Sequence, residues 1–200
     1  FIVTCCLVLA SHIGRCGRRK QPRLFEVWDG PPLRRAMRHD SDRDDTMSWD
    51  RISALLEVRT GTPRPTADDE ANDPVVADKV YADFENELKQ ATRDHKAFPE
   101  VARENRSFGF RRNLWAMKGW AITAGVLFSL AATGTAIWGP VADQPLFIGT
   151  AVVLVVAILW WMFFVTTTWV RDSADAYVVA MREGGLRLAD DERVESRKAS

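Results

Sequence analysis

"WAITAGVLFSLAATGTAIW", Trp120 to Trp138, and "LFIGTAVVLVVAILWWMFFVTTTWV", Leu146 to Val170, contain no ionisable side chain. Each reaches the roughly 20 apolar residues that a helix needs to cross a hydrocarbon layer of about 30 Å. The chain has 200 residues, zero formal net charge and 46% hydrophobic residues, which on average resembles a soluble globule. The average hides two unlike parts, because the apolar residues gather in these two runs while the stretch from Arg15 to Asn113 is densely charged. Two buried helices in a soluble core would need far more polar protein around them than this chain has. The sequence therefore predicts an all-α integral membrane protein: a transmembrane helical hairpin with a helical cytoplasmic insert.

The approach to the first run is "ENRSFGFRRNLWAMKGW", Glu104 to Trp120, polar up to Asn113 and apolar after it. Arg111 and Arg112 suit the headgroup layer. Trp115, Trp120, Trp138 and Trp169 lie at the ends of the runs, where an aromatic ring with one polar edge is favoured. Lys118 is expected to reach back to the headgroups along its methylene stem. The connector "GPVADQP" is short, with Gly139 and Pro140 ending one helix, Asp143 capping the next and Pro145 in its first turn. It carries no cation, whereas Arg106, Arg111, Arg112 and Lys118 precede the hairpin and Arg171 and Arg182 follow it. Cations are retained on the cytoplasmic side, so the tip is expected outside and both ends inside.

The opening decapeptide "FIVTCCLVLA" is half a span long and is followed by Arg15, Arg18, Arg19 and Lys20. A signal peptide has its basic residues before the apolar part, so the expectation is the C-terminal part of a truncated transmembrane helix, residues 1–14. The insert is then residues 15–113, the hairpin 114–170 with spans of about 118–138 and 146–170, and the cytoplasmic C-terminal helix and tail 171–200. The cysteines Cys5, Cys6 and Cys16 show neither ligand spacing nor a disulfide framework and are expected to behave as small buried hydrophobes. Neither cofactor nor metal is expected.

Within the insert, Arg15 to Arg38 carries eight lysines and arginines against Glu26 and Asp29, whereas Asp40–Asp50 and Asp68–Glu87 are acidic. In "VWDGPPLRRAMRHD" the residues Asp29 to Pro32 form a turn and Pro32 opens a short helix carrying Arg34, Arg35 and Arg38, with His39 next. These residues are the candidate contacts for phosphate or lipid headgroups. Pairing with Asp42, Asp44 and Asp45 is the alternative. "DSDRDD", Asp40–Asp45, is not a calcium loop, because Asp45 and Arg51 stand where glycine and a bidentate glutamate belong. Ser48 is expected to cap a helix whose face is Trp49, Ile52, Leu55 and Leu56 and which Gly61 stops. "PRPTADDEANDP" reads as a loop. Asp73 then caps, and Pro74 opens, a longer helix with Val76, Val80, Phe84, Leu88 and Ala91 on one face.

In the first span, Ala121, Gly125, Ser129, Ala132 and Ala136 recur at steps of four or three, a small-residue face that docks a second helix of the hairpin or of another copy. Enzyme signatures are absent: there is no G-x-S-x-G, no phosphate loop and no H-E-x-x-H, and His12, His39 and His95 are scattered. The spans also lack the buried charge of a proton relay or coupled-ion site.

"WDGPPLRRAMRHD", "TRDHKAFPEVARENRSFGFRRNLWAMK" and "WVRDSADAYVVAMREG" together resemble a family of small, uncharacterised bacterial multi-pass membrane proteins of about four helices. Trp28, Gly30, Pro32, Arg35, Arg38 and His39 fit its W-G-G-x-P-T-T-x-x-L-R-H-like stretch. Glu104, Asn105, Gly109, Phe110, Arg111, Arg112, Asn113, Leu114 and Lys118 fit its E-N-x-x-Y-G-F-R-R-N-L-x-G-L-K-like stretch. Phe108 stands for its tyrosine, Ala116 for a glycine, and Pro31 and Leu33 break the first pattern. The resemblance implies a bacterial inner-membrane location and a missing N-terminal hairpin, and more loosely a membrane effector of anti-phage defence. Two expectations follow for function. One is a non-enzymatic oligomeric effector or channel controlled through its insert by a nucleotide or nucleic-acid signal. The other is a membrane anchor presenting the insert to a protein partner.

Overall fold

The computed structural model describes the backbone of residues 2–39, 46–140 and 143–199; "DSDRDD" with its aspartates, and Val141 and Ala142 of the connector, lie outside the described residues, as do the side chains of Cys5 and Cys6. The described residues form eight α-helices and no strand: α1 (Ile2–Val27), α2 (Pro32–Met37), α3 (Thr46–Thr60), α4 (Ala67–Asn72), α5 (Pro74–Ala91), α6 (Pro99–Trp138), α7 (Gln144–Phe164) and α8 (Thr167–Ala199). The chain divides into two compact units. One comprises Phe1–Pro22 and Gly109–Asp172, the other Arg23–Phe108 and Ser173–Ser200. Helices α1, α6 and α8 each continue through a division point without a break.

In the second unit the core draws on five helices. Leu33, Ala36 and Met37 of α2 meet Trp49, Ile52 and Leu56 of α3, Tyr81, Phe84 and Leu88 of α5, Phe98 and Val101 around the start of α6, and Val178 and Met181 of α8. The turn before α2 is built on Asp29 and Gly30, both at positive φ (61° and 111°), and Pro32 opens the helix as expected. Gly61, at φ 68°, stops α3.

Three details of the insert differ from expectation. Helix α3 begins at Thr46, so Ser48 lies inside its first turn and is not the cap. The stretch read as a loop contains α4, because Thr66 accepts from the Asp69 amide while the Asp69 carboxylate accepts from the Thr66 amide, a reciprocal capping box. On α5 the buried face is Ala77, Tyr81, Phe84, Glu85 and Leu88, turned from the Val76 line; Val76 is 53% exposed. The neighbours decide this: α5 packs on both α2 and α3, and the face between them includes a tyrosine and a glutamate that apolar counting passes over.

In the first unit, α6 and α7 are long and apolar enough to cross a membrane. Their side chains are largely uncovered, with Trp120, Leu127, Phe128, Val153 and Phe163 all more than half exposed. Gly139 ends α6, its N–H bonding the Thr135 carbonyl at 2.8 Å, and Pro145 lies in the first turn of α7. Asp143 makes no side-chain cap. The second apolar run is divided: α7 stops at Phe164, and the Thr166 hydroxyl accepts from the Trp169 amide at 3.1 Å to start α8. "TTTWV" therefore opens a new helix, since threonine satisfies free amide groups better than it continues an apolar span.

Candidate functional site

The basic segment of the insert is assembled by the rigid Asp29–Pro32 turn, which delivers Arg34, Arg35 and Arg38 to α5 and to the end of α1. Arg34 Nε donates to Glu85 Oε2 at 2.6 Å and its Nη1 to Asp78 Oδ2 at 3.0 Å. Arg38 Nη2 donates to Asp78 Oδ1 at 3.1 Å. Arg35 Nη1 donates to the Trp28 carbonyl at 2.7 Å, satisfying an acceptor at the end of α1. The His39 ring is 3.0 Å from the Pro65 carbonyl and its backbone N–H donates to Glu70 at 3.2 Å. Burial pulls the Arg34 pKa down, but the hydrogen bond and charge of Glu85, then those of Asp78, outweigh it and the net shift is upward. Glu85 is itself buried and takes a second donor from Lys89. Arg34 and Arg38 are thus engaged by carboxylates of α5, while Asp42, Asp44 and Asp45 lie outside the described residues.

The residues assigned to the membrane interface make a second cluster in which cations meet main-chain carbonyls. Lys118 Nζ donates to the carbonyls of Met162 and Val165, each at 3.0 Å. Its charge rests on the last turn of α7, where the helix dipole is negative. Arg111 Nη1 donates to the Trp169 carbonyl at 3.0 Å while its guanidinium lies 4.9 Å from the centre of the Trp169 ring. Arg112 donates to Gln21 at 2.7 Å, and Lys20 Nζ reaches the Ala116 carbonyl at 2.6 Å. Helix α1 approaches α6 closely here, since a Cβ added at Gly17 would lie 3.3 Å from the Asn113 Cα and far inside contact with its side-chain oxygen. Trp115 is half-buried, whereas Trp120 and Trp138 are exposed at the two ends of the apolar half of α6.

The small-residue face faces α7. A Cβ on Gly125 would lie 2.8 Å from Ile158 Cγ1, and Ala132 and Ala136 are buried while the large apolar residues around them are not. Ala121 and Ser129 on the same face are half-buried. At Gly125 the face therefore serves the hairpin.

A third arrangement went unnoticed in the sequence. Between the end of α5, the start of α6 and α8 lies a cleft of about 560 Å³, lined among others by Lys89, Arg93, His95, Asn105 and Tyr177. The Tyr177 ring stacks on Phe108 (6.4 Å, 11°), and burial, then the charge of Glu85, pushes its pKa up to about 12. The signal was the run of polar residues after the last apolar position of α5, which reads as an ordinary helix end. Among the described residues no group of histidines, cysteines and carboxylates could hold a metal ion. No family model, curated protein or solved structure matches the chain.

Proposed function

We propose that the chain is a multi-pass protein of the bacterial inner membrane, with residues 15–113 and the C-terminus in the cytoplasm, that acts without catalysis as an oligomeric effector or channel controlled through its insert. The observation that carries this reading is the continuity of α6, forty residues from Pro99 at the insert core to Trp138 at the hairpin tip, with α1 and α8 equally unbroken at the division between the units. An anchor needs only a tether. A helix that shares its hydrogen-bond ladder between sensing and spanning parts transmits rotation or tilt, because bending it costs backbone bonds. The exposed apolar surface of α6 and α7 supplies the lipid contact, and α7, whose residues are nowhere buried, offers the surface for other copies. The likeness to bacterial multi-pass proteins and to anti-phage effectors belongs to the same proposal.

The test interrupts the helix where the units divide. Inserting Gly-Gly-Ser-Gly after Gly109, where a side chain would meet nothing within 4 Å, keeps both units and interrupts the α6 ladder while α1 and α8 stay intact. An effector loses membrane depolarisation or growth arrest on expression, whereas an anchor still recruits its partner. Unchanged depolarisation in the insertion variant would refute coupling through α6.

A further inference from the structure

We infer that the cleft between the end of α5, the start of α6 and α8 binds a phosphate monoester of about nucleotide size, which deepens the proposal above by giving the insert its ligand site. The inference rests on that reading for its purpose, but not for its chemistry.

Sign of charge comes first. In a chain with equal numbers of acidic and basic residues, the residues lining this cleft include Lys89, Arg93 and His95 and no carboxylate. Lys89 shares its charge with Glu85, which is buried behind it and also holds Arg34. Among the described residues the Arg93 and His95 side chains have no ion pair, so their donors are free for a ligand. A guanidinium fork, an imidazole N–H and an ammonium offer more donors than the two oxygens of a carboxylate can accept, whereas the three terminal oxygens of a phosphate ester match them. The guanidinium and the ammonium carry donors only and cannot satisfy each other.

Size and the remaining polarity come second. The cleft holds about 560 Å³, within the range of small-molecule sites and much more than one phosphate fills. Asn86 and Asn105 also line it, and each amide presents a donor and an acceptor side by side, the pattern that reads the edge of a heterocycle or a sugar diol. The site joins stretches distant in sequence: Arg93, His95 and Asn105 come from "TRDHKAFPEVARENRSFGF" and Tyr177 from "WVRDSADAYVVAMREG". By contrast, Arg34 and Arg38 already bond Asp78 and Glu85, so a phosphate arriving there would have to displace carboxylates.

The experiment uses the full chain in phosphatidylcholine nanodiscs, titrated calorimetrically with inorganic phosphate, adenosine monophosphate and adenosine. Saturable binding of the monophosphate, at least tenfold tighter than adenosine, is expected. Arg93→Glu should weaken it at least tenfold with an unchanged melting temperature, since that side chain is exposed, and Arg93→Lys should weaken it less than Arg93→Glu. Arg35→Glu should leave it unchanged. Replacing part of the lipid with phosphatidic acid separates the two sources of the ester: competition assigns the site to a lipid headgroup, and no competition assigns it to a soluble ester. Absence of saturable binding for phosphate and monophosphate alike, or an Arg93→Glu affinity within twofold of the parent, would overturn the inference. Binding is read here without flux, so its failure leaves the helix coupling standing, and failure of the α6 insertion test leaves the site standing.

Discussion

Arg34 and Arg38 belong to one short helix and share Asp78, yet their surroundings differ enough to separate their contributions. Arg34 also serves Glu85, whose side chain is only 11% exposed, so Arg34→Met leaves a buried carboxylate with Lys89 alone and should cost about 2 kcal/mol. Among the described residues Arg38 pairs with Asp78, at a side chain 39% exposed, and Arg38→Met should cost below about 1 kcal/mol. Urea unfolding in micelles measures both, and equal costs would show that Glu85 is satisfied without Arg34. Tyrosine titration gives a second measurement at this scale. The chain has two tyrosines, Tyr81 and Tyr177, both in the second unit, so tyrosinate absorbance reports that unit alone. Burial, then the Glu70 contact, pushes Tyr81 up to about 12 from an ordinary 10.0. A raised folded pKa means stability that is complete below pH 10 and is lost as pH climbs toward 12, on the order of 3 kcal/mol for Tyr81. Absorbance at 295 nm should therefore rise near pH 12, together with loss of helix; a midpoint near 10 with the helices intact would contradict the burial. Little of this was legible beforehand, because which carboxylate an arginine meets depends on the tertiary placement of α5, not on spacing along the chain.

The apolar half of α6 carries Gly119, Gly125 and Gly134 and α7 carries Gly149, and packing separates Gly125 from Gly149. Gly125 lies against Ile158, whereas Gly149 faces open space. Gly125→Leu should wedge the hairpin apart at a cost of about 1–3 kcal/mol, and Gly149→Leu should change little; thermal melts in detergent decide it, and equal losses would place the contact elsewhere. Elements were readable where local chemistry acts alone: the Asp29–Pro32 turn, the Asp73 cap with Pro74, the Gly61 stop, and the apolar runs. They were misread where two local signals compete. Thr166 looked like the tail of a span and proves to be a cap, and Thr66 with Asp69 makes a capping box inside a stretch rich in turn formers. The carbonyl partners of Lys118 were not legible either, because they come from the break after Phe164.

Across the whole molecule, the helical class and the two apolar helices follow directly from the distribution of charge, whereas the insert core does not. That core gathers α2, α3, α5, the start of α6 and α8, and its last contributor lies beyond the hairpin, so no window of sequence contains it. The cleft at Arg93 and Asn105 was hidden for the same reason, since Tyr177 completes it from α8. The central claim is that the α6–α7 hairpin crosses the membrane with its tip outside and the insert inside. In a chain whose own cysteines are replaced by serine, a single cysteine is introduced at Asp143 or at Asp69, and intact cells are treated with a membrane-impermeant thiol reagent. Both positions are exposed in the structure, so access depends on the membrane alone. Labelling at Asp143 and none at Asp69 until the cells are opened is the expected result; labelling at Asp69 in intact cells with Asp143 protected would contradict it.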